Sequence, residues 1–401
     1  MPDVHDTLDE RLRDGIDRIG RADLVVGIPS FRNAATIGHV AEAAARGLRE
    51  HFKDARVAIV NADGGSNDGT PDRVVEAAGG VPVAAGRYVG PPGKGSAFRA
   101  IFGAVGLLGA RACAVVDSDL RSITPQWIAR LLGPITEGQA DYVTPLYARH
   151  KHDGTITNSI AYPLTRALYG LRIRQPIGGE FGLSADLARA YLERPVWDTD
   201  VARFGIDIFM TTTAIVRGAR VAQTPLGAKV HDPKDPAADL GPMFTQVVGT
   251  LFRLAAQNQH KWRDVEGSRD VPVIGDPMRV EPEPIPADPA RLRAKYTASA
   301  PEHEATWREI LSTPVPETLG PEAWAHVVFD FLLAALVRPD ESQGLARALL
   351  PLYYLRVAEF LDEVRDLSTA ESEERVERQA RAMEAEKPDF VARASESGSR
   401  A

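Results

Sequence analysis

Apolar and polar positions alternate along this chain in blocks whose period changes. Residues 4–20 place Leu8, Leu12, Ile16 and Ile19 three or four apart, the spacing of an amphipathic helix. A short apolar run, Leu24 to Pro29, follows and stops at a proline, as a buried strand does. The helical period returns from Ala35 to about Phe52 and gives way to a second apolar run, Arg56 to Asn61. A turn-rich segment over 63–70 leads to a helix from Pro71 to Ala78 and a third run over 81–86. A helix over 95–110 then precedes a fourth run, Ala112 to Val116. Strands alternating with helices predict an α/β domain, a mostly parallel sheet covered on both faces.

The pattern changes near residue 264. Six prolines, Pro272, Pro277, Pro282, Pro284, Pro286 and Pro289, predict an extended connector. From Ala290 to about Met383 the helical period dominates, most clearly over 324–337 and 346–364. The last stretch, 384–401, is polar and Ser-rich and is expected to fray. The expected organisation is therefore an N-terminal helix (1–21), an α/β domain (22–262), a connector (263–290), a helical extension (291–383) and a disordered tail (384–401). Trp324, Tyr353 and Tyr354 sit at apolar positions of the extension, which points to packing or homodimer formation rather than chemistry.

Composition narrows the class. With 401 residues, 44% of them hydrophobic and 25% charged, the chain can bury a large core unaided. Its one cysteine, Cys113, cannot form an internal disulfide, which fits a reducing compartment. A net charge of −8 argues against nucleic acid or an anionic membrane as main partner. The charged stretch 1–23 lacks a signal peptide's apolar core. The late apolar run Phe329 to Val337 includes Asp330 and is too short to span a bilayer, so a cytoplasmic protein without a transmembrane segment is expected.

Six short motifs carry candidate chemistry. Asp117-Ser118-Asp119 follows an apolar strand, where open α/β sheets bind ligands, and paired carboxylates there suit Mg²⁺ or Mn²⁺. A bare acidic turn that caps the next helix fits equally. Gly90 to Gly95 (GPPGKG) opens a helix, where close backbone approach, the helix N-terminus and Lys94 favour an anion; a flexible surface loop is the rival. Asp63 heads DGGSNDGT at the second strand's end, either meeting a nucleoside or capping the following helix. Gly178-Gly179-Glu180 suits close packing on a sugar or pyrophosphate, or a buried ion pair. Asp207 in RFGID and His231 in KVHD complete the set, with capping and structural roles as alternatives.

In this order, IPSF, DGGSNDGT, PGKG, DSD, PIGGE, FGID and KVH resemble the GT-A-fold, nucleotide-sugar-dependent glycosyltransferases. More narrowly, they are similar to the retaining enzymes that make glucosyl- or mannosylglycerate and their 3-phosphoglycerate forms, over roughly residues 22–262. The resemblance implies that Pro29, Ser30, Phe31, Asp63 and Lys94 hold the nucleotide of a UDP-sugar or GDP-sugar. It implies that Asp119 and His231 coordinate the metal, with Asp117 facing the ribose or a metal-bound water and Ser118 among the cofactor-binding residues. Glu180 and Asp207 would grip donor-sugar hydroxyls and orient the acceptor, with Gly178 and Gly179 lying against the sugar. Arg149, Thr155 and Thr157 fall where the group binds its small hydroxy acid. Enzymes acting on 3-phosphoglycerate are expected to carry Gly-Arg-x-Thr, whereas this chain has Gly154-Thr155-Ile156-Thr157. The reading therefore leans to D-glycerate, with Lys151, His150 and His152 as an alternative phosphate pocket and a solvated basic loop as a third possibility. Arg32-Asn33 replaces the expected Asn-Glu and leaves UDP or GDP, and glucose or mannose, open. A non-catalytic nucleotide-sugar-binding protein is the alternative from another class.

Overall fold

The computed structural model describes residues 4–230, 236–278, 280 and 282–398. The chain forms two compact units: Met1–Ala148 with Gly178–Pro233 and Val271–Pro282, and Arg149–Ile177 with Lys234–Asp270 and Glu283–Ala401.

The first unit is an α/β layer structure. Its strands are β1 Leu24–Ser30, β2 Val57–Asp63, β3 Val83–Arg87, β4 Ala112–Val115 and β5 Tyr142–Ala148. After β6 (Leu171–Arg172), which belongs to the second unit, come β7 Phe181–Ser184 and β8 Val221–Ala228. The seven strands of this unit lie in the order β3-β2-β1-β4-β7-β5-β8. Every pairing is parallel except those of β7, which runs antiparallel between β4 and β5. The mostly parallel sheet with flanking helices is the architecture expected from the alternating pattern. All seven residues of β1 are buried, as a central strand covered on both faces requires.

Some boundaries differ from the expectation. The helix Glu10–Ile19 is part of this unit, with Asp9 capping it by accepting the Leu12 amide at 2.8 Å and Leu12 and Ile16 buried. It packs so closely on β3 that a Cβ on Gly15 would lie 2.9 Å from the Ala84 Cα. Part of the proline-rich connector also returns: Ile274 donates its amide to the Gln223 carbonyl and Gln223 donates to that of Pro272, both at 2.8 Å.

The second unit is helical, and it takes residues 149–177 and 234–262 out of the single domain expected over 22–262. The reason is tertiary. Helices at Tyr162–Tyr169 and Pro236–Gln257 bury their apolar faces against helices Pro321–Val337, Ser342–Glu363 and Thr369–Gly398. Phe244 stacks on Tyr353 at 4.3 Å, and the Trp324 indole donates to the Ser159 carbonyl at 2.7 Å. Residues 384–398 are not a frayed tail but the end of the last helix. Met383, Lys387, Phe390 and Ala394 recur at helical spacing and are buried, while Ser395 and Glu396 are exposed. Phe390 lies 5.4 Å from the Trp262 ring and 4.7 Å from Phe329. Phe390→Ala is expected to cost about 3 kcal/mol of stability, read as a lower denaturant midpoint; an unchanged midpoint would show the last turns do not hold the fold. No helix among the described residues is long and apolar enough to cross a membrane.

Candidate active site

Strand register brings several motif residues to one edge of the sheet. Ser30, Asp63 and Arg87 are aligned partners at the carboxyl ends of β1, β2 and β3, and Asp117 follows β4 directly. Lys229 follows β8, Lys94 opens the helix after β3, and Glu180 immediately precedes antiparallel β7. These residues therefore meet at the edge where parallel α/β sheets bind ligands.

Asp63 is 1% exposed, and its carboxylate accepts from the Ser30 hydroxyl (2.8 Å), the Gly65 amide (2.8 Å), and the Ser66 amide (2.6 Å) and hydroxyl (2.7 Å). Burial with all these partners makes Asp63 the organiser of its loop. Ser30 is likewise buried, accepting from the Asn61 amide group at 2.9 Å. Phe31 is 54% exposed, with the Arg32 guanidinium 5.0 Å from its ring centroid; Pro29 stays within β1. Asn33 ties this loop to the acidic motif by accepting from the Ser118 hydroxyl at 2.8 Å and the Phe31 amide at 3.0 Å.

Two lysines and three carboxylates form the centre. The Lys94 ammonium lies 2.9 Å from Asp117 and 3.2 Å from Asp207, and 3.4 Å from the Gly179 carbonyl. Lys229 donates to Asp117 at 3.0 Å, to both Glu180 oxygens at 3.0 and 2.9 Å, and to the Gly178 carbonyl at 3.0 Å. The Tyr147 hydroxyl donates to the second Glu180 oxygen. Glu180 is fully buried with both oxygens engaged, and it braces Lys229. Asp207 is 8% exposed.

Burial opposes the Lys94 charge, but Asp117, Asp207 and Glu180 outweigh it and raise its pKa. Burial pushes the Glu180 carboxyl up to about 7; Asp117 adds to the rise and Lys229 opposes it. Burial likewise lifts Asp207, against the pull of Lys94, while Lys94 and Lys229 overcome burial to hold Asp117 well below the usual range. Because Glu180 sits above its ordinary 4.5, its contribution to stability is complete below pH 4.5 and is lost as pH rises through 7. Relative to Glu180→Gln, the wild-type protein should therefore lose stability between pH 5 and 8; parallel urea midpoints would contradict this.

Close packing sets this geometry. A Cβ on Gly95 would fall 1.7 Å from the Val201 carbonyl oxygen, so the glycine lets the Lys94 helix seat against the loop before Asp207. Gly179 has φ +97°, and a Cβ there would lie 2.6 Å from the Lys229 nitrogen and 2.7 Å from Asp117.

Asp119 lies two residues beyond Asp117; His231 lies outside the described residues. Two residues beyond Asp119, the Arg121 amide donates to the Val230 carbonyl at 2.8 Å, and the Val230 amide donates to the Ser122 hydroxyl at 2.9 Å. Among the described residues, no group of three His, Cys, Asp or Glu side chains forms a metal cage.

Arg149, Thr155 and Thr157 belong to the second unit. Arg149 pairs with Asp153 at 2.9 Å, and the Thr155 and Tyr353 hydroxyls are 2.7 Å apart. Thr157 is 3% exposed at the start of a π-helical turn, Thr157–Ala161. The basic residues nearby are also engaged. Lys151 donates to the carbonyls of Val364 (2.8 Å), Arg365 (2.6 Å) and Leu367 (2.7 Å). His152 shares a hydrogen bond with the Ile285 carbonyl at 2.7 Å, and His150 accepts from the Ile285 amide at 3.3 Å.

Lys229 and Tyr147 were missed as site residues. Lys229 stands in the KVH motif beside the histidine that drew attention, while Tyr147 reads as one more apolar strand position.

No family model matches the chain. It is similar to the glucosyl-3-phosphoglycerate synthase of Mycolicibacterium paratuberculosis, 28% identical over 264 residues, covering 59% of this chain and 73% of the relative. The glucosyl-3-phosphoglycerate synthase of Mycolicibacterium smegmatis is 29% identical over 258 residues, covering 59% and 78%. These similarities bear out the resemblance read from the motifs. A crystal structure of the Mycobacterium tuberculosis glucosyl-3-phosphoglycerate synthase with Mn²⁺, UDP and glucosyl-3-phosphoglycerate superposes with TM-score 0.47 and 25% identity, covering 61% of this chain and 83% of that one.

Proposed function

We propose that this chain is a metal-dependent glucosyltransferase that moves glucose from UDP-glucose to the hydroxyl of D-glycerate, with retention at the transferred carbon. The observation that carries the reading is the convergence of Lys94, Asp117, Glu180, Asp207 and Lys229 at the carboxyl edge of the sheet, in a chain similar to named glucosyltransferases.

Each group has a task in this reading. The carboxylate of Asp119 and the imidazole of His231 are donors of the types that suit Mg²⁺ or Mn²⁺. A divalent ion held by these two residues would supply Lewis-acid charge for a departing diphosphate. Lys94, held charged between Asp117 and Asp207, adds fixed positive charge on the diphosphate side. Asp207 orients a donor hydroxyl, and Glu180 with Lys229 and Tyr147 keeps the acidic edge rigid. The glucose–phosphate bond breaks as the acceptor oxygen attacks from the same face, and the departing phosphate takes the acceptor's proton. Catalysis then rests on positioning and electrostatics rather than a covalent nucleophile.

The acceptor reading takes Arg149 for the carboxylate, with Thr155 and Thr157 as the neighbouring hydroxyl-bearing acceptor residues. A second reading, 3-phosphoglycerate as acceptor, is favoured by the names of the similar enzymes. Against it, threonine stands at 155 and the three N–H donors of Lys151 are taken up by three carbonyls.

The test crosses UDP-glucose, GDP-glucose and GDP-mannose with D-glycerate and 3-phosphoglycerate and measures nucleoside diphosphate release. Turnover with UDP-glucose and glycerate is expected, abolished by EDTA and restored by Mg²⁺ or Mn²⁺. Preference for 3-phosphoglycerate would transfer the conclusion to the second reading. Absence of release from any donor would overturn both.

A further inference from the structure

The loop over 149–158 is fastened to the C-terminal helices by three separate devices, all within the second unit. The first is Lys151, whose ammonium caps the carbonyls of Val364, Arg365 and Leu367 just past the helix Ser342–Glu363. Three carbonyls converging on one ammonium take up all three of its N–H donors, so the cation is held firmly. The second is Tyr353, fully buried in the same helix and stacked on Phe244, with its hydroxyl 2.7 Å from that of Thr155. The third is a relay from the last helix. Glu373 binds Arg174 at 3.0 Å, Arg174 donates to Asn158 at 2.8 Å, Asn158 donates to the Asp153 carbonyl at 3.0 Å, and Asp153 pairs with Arg149 at 2.9 Å.

We infer that the C-terminal helices are part of the acceptor-binding apparatus, holding Arg149 and Thr155 in their binding orientation through Lys151, Tyr353 and the Glu373–Arg174–Asn158–Asp153 relay. This rests on the reading of Arg149 and Thr155 as acceptor residues given above. The physical need is clear for a ligand as small as a three-carbon acid. It offers few atoms, so a loop that had to be ordered on binding would consume most of the interaction energy. A loop ordered beforehand avoids that loss, and it includes Gly154 at φ +63°, a link that does little to stiffen the chain by itself. Tyr353 adds direction as well as order. Its buried hydroxyl shares a 2.7 Å hydrogen bond with that of Thr155, which restricts the rotation of the Thr155 hydroxyl. Lys151, Tyr353, Arg174 and Glu373 are thus positioning residues acting through Arg149 and Thr155.

The test uses the full-length protein and two variants, Tyr353→Phe, which keeps the stacked ring, and Lys151→Met. Three quantities are measured: KM for the acceptor, KM for UDP-glucose, and hydrogen exchange of amides 149–158. Each variant is expected to raise the acceptor KM about five- to tenfold, the loss of one buried hydrogen bond, with the UDP-glucose KM unchanged and faster exchange in 149–158. Lys151→Arg should restore most of the affinity, because a guanidinium also caps carbonyls. An unchanged acceptor KM in both variants would overturn the inference. So would equal rises in both KM values, which mark general damage rather than a positioned acceptor loop. A wild-type protein that transfers from UDP-glucose to no glycerate-type acceptor would instead overturn the functional reading, and the inference would fall with it.

Discussion

Lys229→Met is expected to cost about 3–5 kcal/mol of stability at pH 8 and to remove nearly all turnover. The Lys229 side chain is 7% exposed and donates to Asp117, both Glu180 oxygens and the Gly178 carbonyl. Methionine fills similar volume but leaves Glu180, which has no exposure at all, without its cation. An uncompensated buried carboxylate is far more costly than the ion pair was favourable. Glu180 has a way out, since its carboxyl is already pushed up to about 7 and rises further once Lys229 is gone. The variant should therefore be destabilised less at pH 6, where Glu180 takes a proton, than at pH 8. Urea midpoints at both pH values check this; equal losses at the two would mean that Lys229 is not compensating Glu180.

Gly179→Ala is expected to lower kcat/KM by about 10²-fold, the scale for ångström-sized misplacement of catalytic groups. The added methyl has no room. It would sit 2.6 Å from the Lys229 nitrogen and 2.7 Å from the Asp117 oxygen, on a residue whose φ of +97° already disfavours a side chain. Something must move, and the groups that can move are those that fix the charge pattern of the site. Because these side chains shift while the strands behind them do not, thermal stability should fall far less than activity. Activity within threefold of wild type would show that the Lys229–Asp117 contact does not set the reaction geometry.

Much of the first unit was legible along the chain. The runs that became β1 to β4 are apolar, short and bounded by proline or turn residues, and a local pattern suffices for such strands. The motif residues could be named because chemistry-bearing side chains at strand ends are a sequence feature. Their partners could not. Lys229 and Tyr147 acquire their roles only where β8 and β5 deliver them to Glu180, from 49 and 33 residues away along the chain. Asp63 and Thr157 show the reverse: each has a residue type suited to a ligand, and each is buried once its neighbours fold over it.

The sequence by itself determined the element types, the parallel sheet and the set of residues at its carboxyl edge, because period, punctuation and residue chemistry are local properties. Only the tertiary structure decided how those elements group and what each polar side chain touches. It moved residues 149–177 and 234–262 into the helical unit and turned the polar tail into a packed helix. It also spent Lys151 on three carbonyls rather than on a ligand. Burial and hydrogen-bond partnership depend on which surfaces meet across long separations in the chain, and a one-dimensional pattern holds no record of those meetings.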